Sequence, residues 1–485
     1  MTVGYPSWDF SLLSTVAFFG VHVNDDGSLA NDSGWTVWNS SQLTNLVTTA
    51  HANGTKVVLT VILQDFGAGT PHMCAGLTNR ATTVPKVAGE VAAKGVDGVN
   101  LDYEGLNGTC PNGSTARSMM TALAHDMRTA LPTGSYLSVD TYASSASDSL
   151  GFFDVAGLNA YVDSFFVMAY DLEYSNYRRS PLSCTSFCLG PTAPLSGYYY
   201  NDTTTASQYI GTVPAAKVIL GVPYYGRKSC VAYPQPNAYP SGVVTADTYL
   251  DASAESSQPQ VQTNSFTAHR DPNDPNGQER WDSWFNTQLN CYRELYWDDV
   301  VSLGKKYDLV NADGLRGVGI WNLNYGGGAP ELWSALHDHF IACDTAGLTS
   351  DLASPQQRGA LVTFTATSTG CANPQYEFWL QSPNGLWTMT QTFNSAAVWK
   401  WDTSAYPAGN YVIHVWANQR GGSTSTWQAY GELKFTVNPS PPCASASVSP
   451  STVTQSAGTA VALSASSSGC PYPRYAYWVQ YPDGG

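Results

Sequence analysis

Up to about residue 340 the chain alternates short apolar segments of strand character with segments of helical character, and no other feature restricts its folding as much. Strands separated by helices are not joined as tight hairpins; the helical connection returns the chain to the starting edge and builds a parallel sheet. Eight candidates fit: Thr2–Tyr5, Thr15–Phe19, Lys56–Leu63, Gly98–Tyr103, Tyr136–Thr141, Ser164–Tyr170, Lys217–Pro223 and Gly317–Trp321. Eight such strands predict an α/β fold, a (β/α)8 TIM barrel. Helices are expected at Leu43–Ala52, Val84–Lys94 and Thr115–Leu131, closed by Asn53-Gly54, Gly95 and Pro132, with a final one at Pro330–Phe340.

Beyond residue 340 the texture changes to Ser/Thr-rich alternation with few charges, and the sequence repeats. "GCANPQYEFWLQSPNG" at Gly370–Gly385 matches "GCPYPRYAYWVQYPDG" at Gly469–Gly484, a period of 99 residues that pairs Cys371 with Cys470, Tyr376 with Tyr475 and Trp379 with Trp478. Strand-like runs at Leu361–Thr367, Tyr376–Gln381, Tyr411–Asn418 and Leu433–Val437 have sandwich spacing, and "PAGNY" ending at Tyr411 is the pattern of a tyrosine corner. The expected organisation is therefore a barrel over 1–340, an all-β immunoglobulin-like sandwich over 341–438, and a truncated second copy over 439–485 behind the joint "NPSPPC". Trp387, Trp399, Trp401 and Trp427 of the sandwich are read as core or spacer residues before a sugar-binding surface.

Composition narrows the function. Charged residues and aromatics each make up 12 %, which is a folding profile. A net charge of −15 opposes binding to nucleic acid or to an anionic membrane, and no apolar run approaches the length of a membrane span. The ten cysteines form no zinc pattern and point to disulfides in an oxidising compartment. Cys343–Cys371 and Cys443–Cys470 follow from matching offsets in the two copies; Cys184–Cys188, Cys74–Cys110 and Cys230–Cys291 are the pairings expected in the barrel. The start "MTVGYPSWDF" has no signal-peptide pattern and "YWVQYPDGG" stops inside a strand pattern, so the expectation is a secreted or cell-surface protein trimmed at both ends.

The stretch "KGVDGVNLDYEG", Lys94–Gly105, sets Asp97, Asp102 and Glu104 in a run of Gly, Val and Leu. Buried strands seldom carry carboxylates. At the C-terminal end of a barrel strand, however, Asp102 and Glu104 lie two apart on one face and point into the mouth, with Asn100 continuing that face inward. Here the residues resemble a known family. "DGVNLDYE" is similar to the DGxDxDxE signature of glycoside hydrolase family 18, the chitinase-like family. "VMAYD" at Val167–Asp171, "LGVPYYGR" at Leu220–Arg227 and "GVGIWNLNY" at Gly317–Tyr325 resemble its sixth-, seventh- and eighth-strand segments. Two departures, Asn100 for Asp and "VVLTVILQDFG" without SxGG, resemble the chitobiase-like and spore-cortex-lytic branches.

The resemblance implies a retaining glycosidase in which the 2-acetamido group of the sugar is the nucleophile, so one acid/base suffices. It gives Glu104 that role, has Asp102 orient the acetamido N–H, Tyr170 bond the acetamido oxygen, Asp171 hold the sugar and Trp321 floor the subsite. Asn100 and Asp97 are expected deeper, holding Asp102. Tyr5, Phe19, Tyr225 and Arg227 are candidate pocket-lining residues. No metal or organic cofactor is implied, and the partner is an amino-sugar polysaccharide or oligosaccharide met by a monomer. Chitin, peptidoglycan and glycoprotein glycans stay open as substrates. The rival readings are a lectin that binds N-acetylglucosamine chains without cleaving them and an adhesin of repeated sandwiches; Glu104, Asp102 and Tyr170 together favour catalysis.

Overall fold

The structure is a computed structural model that describes residues 7–371, 373–420 and 425–482. The chain divides into two compact units between Phe340 and Ile341.

In the first unit, six parallel strands come first: β1 (Thr15–His22), β2 (Lys56–Asp65), β3 (Gly98–Gly105), β4 (Tyr136–Tyr142), β5 (Ser164–Met168) and β6 (Val218–Pro223). Five strands of an antiparallel sheet follow: β7 (Tyr225–Val231), β8 (Thr245–Thr248), β9 (Thr267–Arg270), β10 (Arg280–Asn286) and β11 (Cys291–Trp297). The chain then returns to the parallel sheet as β12 (Gly317–Trp321). The parallel sheet runs β1-β2-β3-β4-β5-β6-β12. Phe19 and Trp321, near the ends of its first and last strands, meet edge to face at 4.4 Å, so the sheet curls until its two edges converge. The candidate Thr2–Tyr5, and with it Tyr5, lies outside the described residues.

The helices close where their end residues require. Gly95 takes the left-handed φ of 65° that ends the helix Arg80–Lys94. Thr115 accepts from Ser118 N at the start of Ala116–Ala130, and Pro132 follows its end. The strands are buried on both faces because helices cover one side. In β3 the outward side chains Val99, Leu101 and Tyr103 join the apolar core with Leu137 and Val139 of β4, which leaves Asn100, Asp102 and Glu104 on the opposite, inner face.

All five expected disulfides are present: Cys74–Cys110, Cys184–Cys188, Cys230–Cys291, Cys343–Cys371 and Cys443–Cys470. The first ties the helix Pro71–Thr78 to the loop after β3, and the third joins β7 to β11, so segments beyond the C-terminal ends of β3 and β6 are stapled. Among the described residues no helix is long and apolar enough to cross a membrane.

The second unit is all-β. A three-stranded sheet of β13 (Thr345–Ser350), β15 (Leu361–Thr369) and β18 (Val398–Asp402) faces a five-stranded sheet of β14 (Gln356–Gln357), β20 (Ala429–Asn438), β19 (Gly409–Gln419), β16 (Pro374–Gln381) and β17 (Trp387–Asn394). They share one core that includes Val362, Phe364, Phe378, Ile413, Val415 and Phe435. The Tyr411 hydroxyl donates to Pro407 O at 2.6 Å, four residues upstream. Of the four tryptophans read as core or spacer, Trp401 is buried and Trp399 stacks on Phe364, but Trp387 and Trp427 stand out in solvent at 40 % and 44 % exposure. Those two are therefore not core residues; they fall on the side of the sheet turned away from it. A short ladder of β21 (Ser445–Ser449) and β22 (Ser464–Ser468) follows the Cys443 joint.

Candidate active site at the C-terminal ends of the parallel strands

Register places the inward residues of neighbouring strands side by side: Gln64 beside Glu104, Ile62 beside Asp102 and Thr60 beside Asn100 across β2 and β3, then Ser138 beside Asn100 across β3 and β4. The Gln64 amide donates to Glu104 Oε1 at 2.6 Å, so the strand lacking SxGG supplies the group that holds the acid/base candidate. Its last residue, Asp65, accepts from the backbone N–H groups of His72 and Met73 and fixes the loop that leads into the next helix.

Deeper in the mouth, Asn100 is fully engaged. Its amide donates to Asp140 Oδ2 at 2.8 Å and its oxygen accepts from Ser138 Oγ at 2.6 Å. Asp140, on β4, was not among the residues singled out from the sequence. Its signal was there in "YLSVDTY", where Ser138, Asp140 and Tyr142 repeat the period-two polar face already noticed in "VNLDYE". Asp102 and Asp140 are within hydrogen-bonding reach of each other, and a hydrogen bond between two carboxyls needs one proton. Asp102 Oδ2 and Asp140 Oδ1 are buried and take no donor from the described residues. Two adjacent buried carboxyls cannot both ionise cheaply, so the pair retains a proton.

The electrostatics follow from that crowding. Burial, and then the charge of Glu104, push Asp102 up to about 7. Burial raises Glu104 as well; the Gln64 hydrogen bond opposes that shift and the Asp171 charge reinforces it. Asp140 is pushed well above the carboxylate range by burial and then by Asp102. Tyr170 is half-buried beside these groups, and desolvation first, then the charges of Asp140, Asp102, Glu104 and Asp171, keep its hydroxyl protonated. A Cβ on Gly221 would come within 2.9 Å of the Tyr170 ring and 2.4 Å of Val167 O, so glycine in "LGVPYYGR" is what admits this tyrosine.

The strand expected to run through Tyr170 ends at Met168 instead. The chain turns there, and Asp171 adopts a left-handed φ of 57°, a sparsely populated conformation for a residue with a side chain. The turn aims its carboxylate at the first residues of β7: Asp171 Oδ1 accepts from Tyr225 Oη at 2.8 Å and from Arg227 Nη2 at 2.5 Å. Arg227 also faces the buried Glu173 at 3.4 Å and lies over the Tyr225 ring. Tyr225 stands edge-on to Tyr170 at 6.2 Å. Phe19 and Trp321 form an aromatic pair at the rim, Phe19 46 % exposed.

Glu104, Asp102, Tyr170, Asn100, Asp171, Tyr225 and Arg227 are thus one constellation, with Phe19 and Trp321 on the same end of the sheet. Asp97 is not part of it. It precedes the first residue of β3, about 16 Å from Asp102 along the strand by the rise per residue, and accepts from Val57 N at 2.7 Å with His51 Nε2 at 2.9 Å. Its role at that end is to join the starts of two strands.

The comparisons with known proteins agree with this geometry. The family model "Glycosyl hydrolases family 18" matches residues 7–326. YdhD of Bacillus subtilis (strain 168), named as a candidate sporulation-specific glycosylase, is 23 % identical over 319 residues, covering 64 % of this chain and 66 % of its own. Chitinase 1 of Aphanocladium album is 25 % identical over 181 residues, 36 % of this chain and 41 % of its own. The chain therefore spans under two thirds of the length of either relative. The solved structure of the Bacillus cereus spore cortex-lytic enzyme SleL matches with a TM-score of 0.51 at 18 % identity over 67 % of each chain, a likeness of fold.

Proposed function

The chain belongs to glycosyl hydrolases family 18 and is a glycosidase, and from that premise we propose that it cleaves β-1,4-linked N-acetylglucosamine glycans, as chitin oligosaccharides or peptidoglycan, with retention at the anomeric carbon. One observation carries the reading: Glu104 and Asp102 stand two apart on the inner face of β3, both held toward their protonated forms by burial, with Tyr170 beside them. Protonated Glu104 donates to the glycosidic oxygen as the C–O bond breaks. The 2-acetamido oxygen of the same sugar attacks the anomeric carbon and an oxazolinium forms. Asp102 accepts from the acetamido N–H, which raises the nucleophilicity of its carbonyl, and the Tyr170 hydroxyl donates to the acetamido oxygen. Asn100 and Asp140 hold Asp102 in place. Glu104, now a carboxylate, takes a proton from the water that opens the intermediate. Asp171, fixed by Tyr225 and Arg227, bonds the sugar hydroxyls, and Trp321 stacks on the ring.

The same reading makes the parallel sheet a (β/α)8 barrel, supported by the Phe19–Trp321 contact between its edges. The tyrosine corner and shared core support an immunoglobulin-like sandwich over 341–438, with 439–485 beginning a second copy. Five disulfides support a secreted enzyme. Product analysis tests the function: incubation with chitotetraose and with purified peptidoglycan releases reducing amino sugars of retained configuration, and cello-oligosaccharides, which bring no internal nucleophile, stay intact. Cleavage of cello-oligosaccharides would overturn the mechanism. Binding of chitotetraose without cleavage would restore the lectin reading.

A further inference from the structure

The side of the five-stranded sheet turned away from the core carries a line of aromatic rings that the catalytic reading does not use. On β16, Tyr376, Phe378 and Leu380 point into the core, so Glu377 and Trp379 point out; on β19, Ile413 and Val415 point in, so His414 and Trp416 point out. Trp387 meets His414 at 4.4 Å, His414 meets Tyr430 at 5.6 Å, Tyr430 meets Trp427 at 5.8 Å, Trp427 meets Trp416 at 4.5 Å and Trp416 meets Trp379 at 5.2 Å. The six rings are continuous. Trp387, Trp427 and Tyr430 are 40 %, 44 % and 53 % exposed, and outward tryptophans in such number contribute nothing to the sandwich core.

We propose that this face binds a neutral polysaccharide chain, the class of glycan given to the catalytic site, on which reading the choice of ligand rests. Three observations select that occupant. Neighbouring rings, tilted 39–72° to one another, offer separate apolar faces to the C–H faces of pyranoses, and polar groups lie among them to meet the hydroxyls: Glu432 at 3.0 Å from His414, and Glu377, 5 % exposed, whose Oε1 accepts from Trp379 Nε1 at 2.6 Å and fixes that indole. The unit from Ile341 onward has six Asp or Glu against five Lys or Arg, and on the face itself Glu432 is paired with His414 at 3.0 Å and Lys434 at 3.9 Å, so it offers little field to a charged polymer. Finally, the repeat keeps the outward ring. Trp478 occupies the position of Trp379 in the second copy, so the repeat carries this tryptophan as well as the tyrosine three residues before it.

The test uses the full chain with Trp387→Ala, Trp427→Ala and the double variant, each checked for unchanged thermal unfolding, with Tyr430→Ser as an independent fourth. Depletion onto insoluble chitin and onto purified peptidoglycan is measured beside turnover of chitotetraose. The double variant should bind at least tenfold more weakly to one of the two polymers while chitotetraose turnover stays within the error of the parent. Polymer binding within threefold of the parent in both the double variant and Tyr430→Ser would overturn the proposal, as would a parent that binds neither polymer. If the parent fails to cleave chitotetraose but the variants lose polymer binding, the catalytic reading falls and the binding face stands.

Discussion

β3 and β19 both alternate in period two, and both turn one side of the strand inward, but they fill it in opposite ways. β19 sends in Tyr411, Ile413, Val415 and Ala417, each at most 1 % exposed. Such burial stabilises at about 25 cal/mol per Å² of apolar area. β3 sends in Asn100, Asp102 and Glu104, whose burial costs free energy, and the first unit bears that cost because Val99, Leu101 and Tyr103 pack outward against helices. A parallel sheet covered by helices keeps its apolar core on the outside of the strands and can turn its inside over to chemistry. A two-sheet sandwich has its core between the sheets, and its spare surface is the outside, where the aromatic line lies. Position relative to the core, more than residue type, decides where each unit can act.

The largest expected effect tests that the two interiors are separate. Phe364 is fully buried among Trp399, Trp401 and Phe435. Phe364→Ala should cost the second unit about 3–5 kcal/mol. Calorimetry should show its transition lowered with that of the first unit unmoved and chitotetraose turnover unchanged. Equal movement of both transitions would show that the units unfold as one.

Next comes the interior of β3. Glu104→Gln keeps the shape and removes the acid, so turnover should fall by a factor on the order of 10² or more, roughly 2.7 kcal/mol of transition-state stabilisation, while chitotetraose still binds. A rate within threefold of the parent would remove Glu104 from its role. Stability should hold or rise, since a buried ionisable group has been replaced by a neutral amide.

What was legible in the sequence follows the same division. Seven of the eight strand candidates were visible as short apolar runs recurring between helical segments, and the eighth lies outside the described residues. Glu104 and Asp102 were visible because carboxylates on such a strand are conspicuous, and Tyr170 because "VMAYD" resembles a segment of the family. Asp140 was missed because one Asp between Val and Thr, read alone, is a small signal; only the register that sets β4 against β3 gives it a partner. Asp97 was misplaced for the converse reason. It precedes the glycine that opens the strand, and a carboxylate there finds free N–H groups at the strand starts. The turn at Asp171 was hidden because apolar periodicity continues through Ala169 and Tyr170 after the ladder has ended.

The missed carboxylate gives the third prediction. Unfolded, Asp102 and Asp140 ionise near pH 4. Folded, Asp102 is raised to about 7 and Asp140 is pushed well above the usual carboxylate range, so the native state binds more protons than the unfolded chain from about pH 4 upward. Stability from these groups is therefore present below that window and is lost as pH rises through it. Asp140→Asn keeps an oxygen for the Asn100 amide and removes one titrating group. Its first-unit melting temperature should exceed the parent's at pH 8, and the two should converge at pH 4. A variant less stable than the parent at pH 8 would mean that the Asp140 charge is compensated in the fold.

The smallest effect concerns the sandwich. The Tyr411 ring is buried in the core while its hydroxyl reaches the carbonyl of Pro407, so Tyr411→Phe leaves the packing whole and deletes one hydrogen bond. The net worth of such a bond is about 1 kcal/mol, most of it the cost of leaving the carbonyl without a donor. In a unit of this size that lowers the melting temperature by roughly 4 °C. Only the second transition should shift, and polymer binding should follow the parent at temperatures below it, because the corner lies among core residues and the aromatic line is on the other side of the strands. A loss of polymer binding at 25 °C would show that the corner sets the geometry of the outer face, and the separation between a core that stabilises and a surface that binds would then have to be redrawn within β19 itself.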